Sequence, residues 1–385
     1  MRMKLRVLVV FGGESVEHEI SILSAHQVME AMDPEVYEIL PLYIAKNGTM
    51  YYDVTLSSLD TFDDLQHITN NYMEVTLLHR HQHFYMIPLK HHIFTKEIEF
   101  DIAFPVLHGT HGEDGMFQGF LSTLKIPYVG CSVLAGAIGQ DKIIMKQVLE
   151  DSGLPLTPWY FWTMEKPLND TFFRKAQRLG YPLIVKPANL GSSIGIEVVH
   201  NEVELHKAMI EAYQYDPRVV IEKVVEHLRE INCSVLGDER SCEASVLEEV
   251  KKQDEILSYS DKYIGGKKMK GMVNAPRRDP VDIDEDLYLE IQLLAKEAFH
   301  ALCASGVSRI DFLMNDESKD LYVNEINTIP GSLSFYLWQR SGVSFSMLID
   351  RLIDIARKRY ARAQKQVFTY DTNILKLNPK GTKTE

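Results

Sequence analysis

The segment Lys4–Phe11 is short, apolar and rich in valine, and Gly12-Gly13 end it. A helical pattern then starts near Glu17 and runs to about Met32, with Ile20, Leu23, Val28 and Met32 at its apolar positions. A continuously apolar strand is one buried on both faces. Joined to a helix by a glycine turn, it predicts an α/β fold built on a parallel sheet. Phe100–Leu107 reads as a second buried strand, followed by the glycine-rich His108–Gly115. Ligands of such sheets bind beyond the carboxyl ends of the strands, so the two glycine loops are expected to share a crevice.

The chain has 385 residues, enough for two or three domains. Gln140–Ser152 reads as a helix ending at Gly153, and Pro155 and Pro158 make the following stretch a passage rather than a helix. Pro182–Pro187 and Val219–Val225 read as strands. Between them lies the small-residue loop Gly191-Ser192-Ser193-Ile194-Gly195. Lys251–Arg278 is rich in lysine and glycine and reads as a long mobile loop, of the kind that is functional or disordered. Asp284–Cys303 is an amphipathic helix, with Leu287, Ile291, Leu294, Ala298 and Leu302 at helical spacing. Two strands follow, Ser308–Met314 and Leu321–Ile326, joined by the polar turn Asn315–Asp320. A last helix covers about Ser344–Gln364, and the tail after Val367 is polar.

Bulk properties exclude several classes. The formal charge of −13 argues against a nucleic-acid partner. No run approaches the ~20 apolar residues of a membrane span. The apolar N-terminal run is too short for a signal peptide and no cleavage site follows it. Cys131, Cys233, Cys242 and Cys303 lack metal spacing and read as reduced core residues of a cytoplasmic protein.

The hairpin carries the chemistry. Arg309 and Asp311 are two apart on one strand, and Glu325 and Asn327 are two apart on its partner, so each pair shares a face. Facing side chains on antiparallel strands have Cβ atoms ~5 Å apart, so Asp311, Glu325 and Asn327 can surround a small volume. That all-oxygen set suits Mg²⁺. A simple Arg309–Asp311 ion pair beside a solvated Glu325 accounts for the same residues. The turn Thr328–Ser332 adds backbone amides that can hold an oxyanion beside Arg309.

There is no GxxxxGK[ST] motif and no kinase-like catalytic loop, yet lysines are available for phosphates. Lys186 ends a strand just before the Ser192-Ser193 loop, Lys142 opens a helix, and Lys262 lies in the long loop. The strand Ile221–Val225 offers backbone groups to a purine edge, with Glu222 able to accept from its amine and Glu230 from ribose hydroxyls.

Taken in order, Phe11–Ser21, Leu107–Gly119, Gly139–Lys142, Val185–Gly195, Ile221–Lys223, Asp261–Tyr263, Ser308–Phe312 and Asn324–Gly331 resemble the ATP-grasp ligases, and within them the D-alanine–D-alanine ligase family. The resemblance spans roughly residues 4–365. It implies a three-domain ATP-grasp fold: an N-terminal Rossmann-like parallel-sheet domain over 1–138, a central ATP-grasp subdomain over 139–235, a C-terminal subdomain over 236–366 that carries the mobile loop 251–278, and a tail, 367–385. It implies that ATP is bound by Lys142, Lys186, Ser193, Glu222, Lys223, Val225, Glu230 and Lys262. It implies two Mg²⁺ ions, or Mn²⁺ in their place, on Asp311, Glu325 and Asn327. Glu19 would bind the ammonium of a first D-alanine and form a closing set with Ser192 and Tyr263. Arg309 and the Gly331 amide would hold the oxyanion, with His108 near the first substrate. A homodimer with no membrane or nucleic-acid partner is also implied.

One segment departs from the pattern. Similar chains place a serine farther on to hold the second substrate's carboxylate; here that position falls at Tyr336, with Ser334 as a substitute if the turn is shortened. The loop around Tyr263 holds no histidine, which favours D-alanine over D-lactate as second substrate and leaves D-serine open. His79, His81 and His83 alternate as if on one strand face, with His91-His92 beyond. They read as an exposed edge in preference to a metal site. Glu113 and Asp114 read as caps of the next helix.

Overall fold

The computed structural model describes residues 4–90, 96–191, 194–250 and 281–372, together with the strand Arg277–Arg278. Ser192, Ser193, Lys262 and Tyr263, the remainder of the expected loop 251–278, and His91-His92 lie outside the described residues.

Three sheets carry the architecture. The first has seven strands. Leu5–Gly12 pairs in parallel with Tyr37–Ile44 on one side and Ile102–Pro105 on the other. Val7 through Phe11 are fully buried, as a strand covered on both faces must be. The sheet then continues antiparallel through Met50–Tyr52, Met73–Arg80, His83–Pro88 and Ile98–Phe100, so the expected parallel sheet is one end of a mixed one. At the carboxyl end of the first strand, Gly12 has φ +91°, and a Cβ there would run into the Ile44 carbonyl. The helices His18–Ala31 and Phe345–Ala363 share a core with this sheet, through Val7, Val9, Ile22, Val28, Leu348 and Leu352.

The histidine run does not lie on one strand. His81 and Gln82 have positive φ and form the turn between Met73–Arg80 and His83–Pro88, so His79 and His83 sit on opposite arms of a hairpin. His83 bonds Glu99 of the next strand at 2.6 Å instead of standing at an edge.

The second sheet, Glu197–Val199, Leu183–Pro187, Arg218–Lys223 and Trp159–Thr163, is antiparallel. Helices Asp170–Leu179 and Glu202–Ala212 pack Phe172, Ala176, Leu205 and Met209 against it.

The third sheet runs Arg277–Arg278, Cys242–Val250, Leu228–Gly237, Gly306–Asn315, Leu321–Asn327, all antiparallel. Its pleat divides labour. Ile231, Cys233, Val235, Ile310 and Phe312 turn to the helix Glu285–Ala301, whose Ile291, Ala295, Ala298 and Phe299 are fully buried. Each such apolar side chain contributes roughly 1.5–3 kcal/mol on burial. The alternate residues Glu230, Asn232, Ser234, Arg309 and Asp311 take the other face. Asp284 starts the helix by accepting from the Leu287 amide at 2.9 Å, a cap worth about 1 kcal/mol.

Among the described residues no helix is long and apolar enough to cross a membrane. All four cysteines are unpaired; Cys131 and Cys233 are core residues as expected, but Cys303 is exposed.

Candidate active site

The hairpin register places Asp311 opposite Glu325 and Arg309 opposite Asn327, with a bulge just after Asp311. Arg309 donates to Asp311 through Nε at 2.6 Å and Nη2 at 2.7 Å, and Asn327 Nδ2 donates to Asp311 Oδ2 at 3.1 Å. Burial pushes the Asp311 carboxyl up, and the charges of Glu325 and Glu230 push it further; Arg309 opposes them, leaving it at about 6. Burial also works against the Arg309 guanidinium, but Asp311 holds it well above its ordinary value. A buried carboxylate crowded by two others is a site short of positive charge, and its donors are all oxygen. Among the described residues no three His, Cys, Asp or Glu side chains converge on one point. A Mg²⁺ site needs no such cage, because one or two carboxylates with substrate phosphates and water suffice. The residues fit that ion.

The lysine side meets this face through the second sheet. Lys186 Nζ donates to Asn324 Oδ1 at 3.3 Å, on the strand that carries Glu325, and lies 3.3 Å from Glu222 Oε1. Glu222 is also paired with Lys146 at 3.3 Å and accepts from Thr157 Oγ1 at 2.9 Å. Burial alone would raise Glu222, but the two ammonium groups hold it down at about 2. Its carboxylate is therefore engaged inside the protein, and a nucleobase would meet this strand through its backbone. Lys223 Nζ donates to the carbonyls of Gly180 and Tyr181 at 3.0 Å each. Lys223 and Val225 do line a cleft of about 220 Å³, closed from the hairpin side by Asn315, Asp320 and Tyr322. Glu222 and Glu230 are not among its lining. Lys142 Nζ donates to the Leu190 carbonyl at 2.7 Å and so holds the entry to the small-residue loop.

The two glycine loops of the first sheet converge as expected, but with a different acid between them. Glu19 turns outward, half-exposed, and pairs with Lys46 at 2.7 Å. Glu17 turns inward. Gly109 has φ +70°, and a Cβ there would stand 2.9 Å from Glu17 Oε2 and 2.6 Å from Ser15 Oγ; one at Gly191 would stand 3.8 Å from Glu17 Oε2. Thus Glu17 stands between the loop after the second strand and the loop that leads to Ser192, while Glu19 faces Lys46. Glu17 is the N-cap that precedes the helix and Glu19 lies in its first turn, so the two side chains leave the helix start in different directions.

Glu113 and His108 bind the loop after Phe100–Leu107 to the turn after the hairpin. Glu113 accepts from the Gly109 amide through Oε2 and from the Ile329 amide through Oε1, each at 2.9 Å. This is a bridge between sheets, where sequence suggested a helix cap. Burial, with the Glu17 charge adding to it, raises Glu113 to about 8. His108 is buried, which lowers its pKa and keeps the ring neutral. Its Nδ1 lies 2.9 Å from the Ile329 carbonyl, which can only accept, so Nδ1 carries the proton. Nε2 then accepts from Ser24 Oγ at 3.0 Å, and Ser24 Oγ accepts from the Ser332 amide at 3.1 Å. Every proton in this chain of contacts has one place to go.

That turn is unusual. Ser332, Leu333 and Ser334 all have φ near +50°, three non-glycine residues in the left-handed region. Each costs on the order of 1 kcal/mol and persists only where packing dictates it. Ser334 is fully buried and its hydroxyl has no partner among the described residues. Tyr336, in the next short helix, donates to Glu248 Oε1 at 2.9 Å.

A carboxylate pair fit for Mg²⁺, lysines facing it across two sheets, and glycine loops around an inward acid make a site for joining anionic substrates at the expense of a nucleotide. Comparison with known proteins gives the family. The sequence profile described as D-ala D-ala ligase N-terminus matches residues 6–131, and that described as D-ala D-ala ligase C-terminus matches residues 148–354. The D-alanine–D-alanine ligase of Thermosipho melanesiensis is 38% identical over 375 residues, covering 97% of this chain and 99% of its own. That of Thermoanaerobacter pseudethanolicus is 38% identical, covering 92% and 96%. Among solved structures, the D-alanine-D-alanine ligase from Coxiella burnetii superposes with a TM-score of 0.81 at 29% identity, covering 98% of this chain and 99% of its own. The VanG D-Ala:D-Ser ligase from Enterococcus faecalis does so with 0.77 at 28%, covering 92% and 100%. With both halves matched and near-complete coverage by relatives at this identity, the chain belongs to the D-alanine–D-alanine ligase family.

Proposed function

We propose that the protein joins two D-alanine molecules into D-alanyl-D-alanine with consumption of ATP, through an acylphosphate of the first, to supply a peptidoglycan precursor in the cytoplasm. The observation that carries this is the facing of the Asp311–Glu325 pair and Lys186 across two sheets, within a full-length family match. Asp311, Glu325 and Asn327 would hold two Mg²⁺ ions, or Mn²⁺. Bound there, the ions offset repulsion between a carboxylate and a polyphosphate.

The chain's own groups do the rest. Lys142 and Lys186 hold phosphate oxygens, with Ser193 and Lys262 beside them by resemblance. The backbone of Glu222–Val225 takes the base, and Glu230 the ribose. Glu17, in place of Glu19, receives the ammonium of the first D-alanine, because it stands inside the glycine loops. Ser192 and Tyr263 complete the closure that keeps water from the acylphosphate. Arg309 and the Gly331 amide stabilise the tetrahedral oxyanion. The Gly331 N–H, first in its turn, donates to no described group and is available for that role. Losing one such donor typically costs ~10²–10³ in rate. Burial of His108 and Glu113 fixes the turn that presents this amide. A homodimer is part of the proposal, on family grounds.

The test is phosphate release with ATP, Mg²⁺ and D-alanine, with the product identified by mass. Release that does not depend on D-alanine defeats the substrate assignment. A second reading, D-serine as acceptor, draws on the altered segment around Tyr336 and the likeness to a D-Ala:D-Ser ligase. Exclusive use of D-alanine in a panel of acceptors would remove it.

A further inference from the structure

Lys146 enters none of the steps above, yet it shares a carboxylate with a lysine that does. Glu222 is ion-paired with Lys146 through Oε2 and with Lys186 through Oε1, each at 3.3 Å. All three charges are withdrawn from solvent: Lys146 and Glu222 are 1% exposed and Lys186 8%. The two lysines differ in what else they reach. Lys146 lies on the helix Lys142–Asp151, one turn after Lys142, and its Nζ stands over the Trp159 ring at 6.0 Å. Lys186 comes from the second sheet, and its Nζ donates to Asn324 Oδ1 at 3.3 Å, one residue before Glu325. Of the two, only Lys186 extends to the hairpin that carries the acids.

Two ammonium groups around one carboxylate leave one positive charge in excess. That surplus has a cost inside a protein. Burial disfavours the Lys146 ammonium, Glu222 supports it, and the Lys186 charge works against it. One lysine would balance Glu222 without such repulsion, so holding the core together does not call for the second. A polyphosphate does. Lys186 has to give its charge to phosphate oxygens. Were it the only partner of Glu222, doing so would strand a buried carboxylate, and breaking a buried pair in that way is strongly unfavourable. With Lys146 in place Glu222 stays paired, and the surplus charge is the one on Lys186.

We propose that Lys146 is a positioning residue for the nucleotide: by holding Glu222, it leaves the Lys186 ammonium available to the phosphates of ATP. This rests on the ATP-dependent reading above and concerns binding of the polyphosphate; no bond is made or broken.

The experiment is calorimetry of the full-length protein with ATP and Mg²⁺ and, separately, with adenosine, in the absence of D-alanine and at a temperature where each variant is folded. In Lys146→Met, Lys186 is held by Glu222. ATP binding should therefore weaken roughly ten- to a hundredfold, the worth of a hydrogen bond to a charged group, while adenosine stays within about twofold. Adding Glu222→Gln should recover most of the loss, because no carboxylate then competes for Lys186. A lysine that merely props up the fold would loosen both ligands together. Equal weakening of ATP and adenosine in Lys146→Met overturns the proposal, as does unchanged ATP binding or a loss that Glu222→Gln does not repair. If Lys146→Met is too unstable to titrate, Glu222→Gln carries the test alone: it should bind ATP at least as tightly as the parent, and weaker ATP binding overturns the proposal. A parent protein that binds no ATP removes the ATP-dependent reading, and this inference with it.

Discussion

Replacing Lys146 by methionine takes away one of the two ammonium groups that hold Glu222. Glu222 is 1% exposed and sits at about 2, against an ordinary 4.5. That difference of about 2.5 units corresponds to roughly 3 kcal/mol at 1.36 kcal/mol per unit. Burial lowers the pKa of Lys146 itself, so part of this gain is offset by the desolvation of the ammonium. Removing one partner leaves the carboxylate with Lys186 alone, and breaking a buried pair in this way costs about 3–5 kcal/mol. We expect Lys146→Met to lose about 3 kcal/mol in urea unfolding. Tryptophan fluorescence is a local reporter, because Lys146 Nζ stands 6.0 Å from the Trp159 ring. The pH dependence gives an independent check. A carboxylate with a depressed folded pKa stabilises above its unfolded value, and that stability is lost as pH falls from about 4.5 toward 2. In Lys146→Met this acid-side loss should be shallower. Adding Glu222→Gln should recover at least about 1 kcal/mol, since the poorly compensated charge is then gone. A variant within about 0.5 kcal/mol of the parent, with an unaltered acid limb, would refute the assignment of Lys146 as the main counter-charge.

Glu113→Gln should flatten stability between pH 5 and 8. With its folded pKa raised to about 8, Glu113 favours the folded state fully below about 4.5, and this is lost as pH rises to 8, by at most on the order of 3–5 kcal/mol; equal slopes of melting temperature against pH in both proteins would contradict it. Glu325→Gln should abolish turnover and leave the melting temperature nearly unchanged; stability lost with activity retained would sink the metal assignment. Glu17→Gln should raise the KM for the first D-alanine at least about tenfold, the worth of a bond to a charged group. Glu19→Gln, whose partner Lys46 is exposed, should stay within about twofold, and the reverse order would return the role to Glu19.

What could be read from sequence depended on how local its cause was. The strand Leu5–Gly12 was legible because full burial makes it continuously apolar. The hairpin was legible because two short strands flank one polar turn. Leu228–Gly237, the strand through the middle of the third sheet, was missed although Ile231, Cys233 and Val235 alternate with Glu230, Asn232 and Ser234. The alternation was the signal, hidden because the polar members face the site instead of open solvent. Glu17 and Glu19 flank His18, and only the helix's orientation decides which acid turns in. Lys146 lies one turn after Lys142, and its burial follows from Glu222, 76 positions later in the chain. No local pattern announces such a partner.

The pleat of the third sheet carries a cost for folding. Along Gly306–Asn315, neighbouring residues serve opposite faces, so a slip of one position would turn Ile310 and Phe312 into the site and press Arg309 and Asp311 against the apolar helix. The strand's own alternation forbids that mistake, since charges pressed against the apolar helix are costly. The penalty is felt only once ten consecutive pairs with Leu228–Gly237, a partner roughly 70–90 residues earlier in the chain, are being formed. The assembly of the reactive face is thereby deferred until distant segments have met, and fidelity of pairing, more than strength of any one contact, decides whether a newly made chain becomes an enzyme.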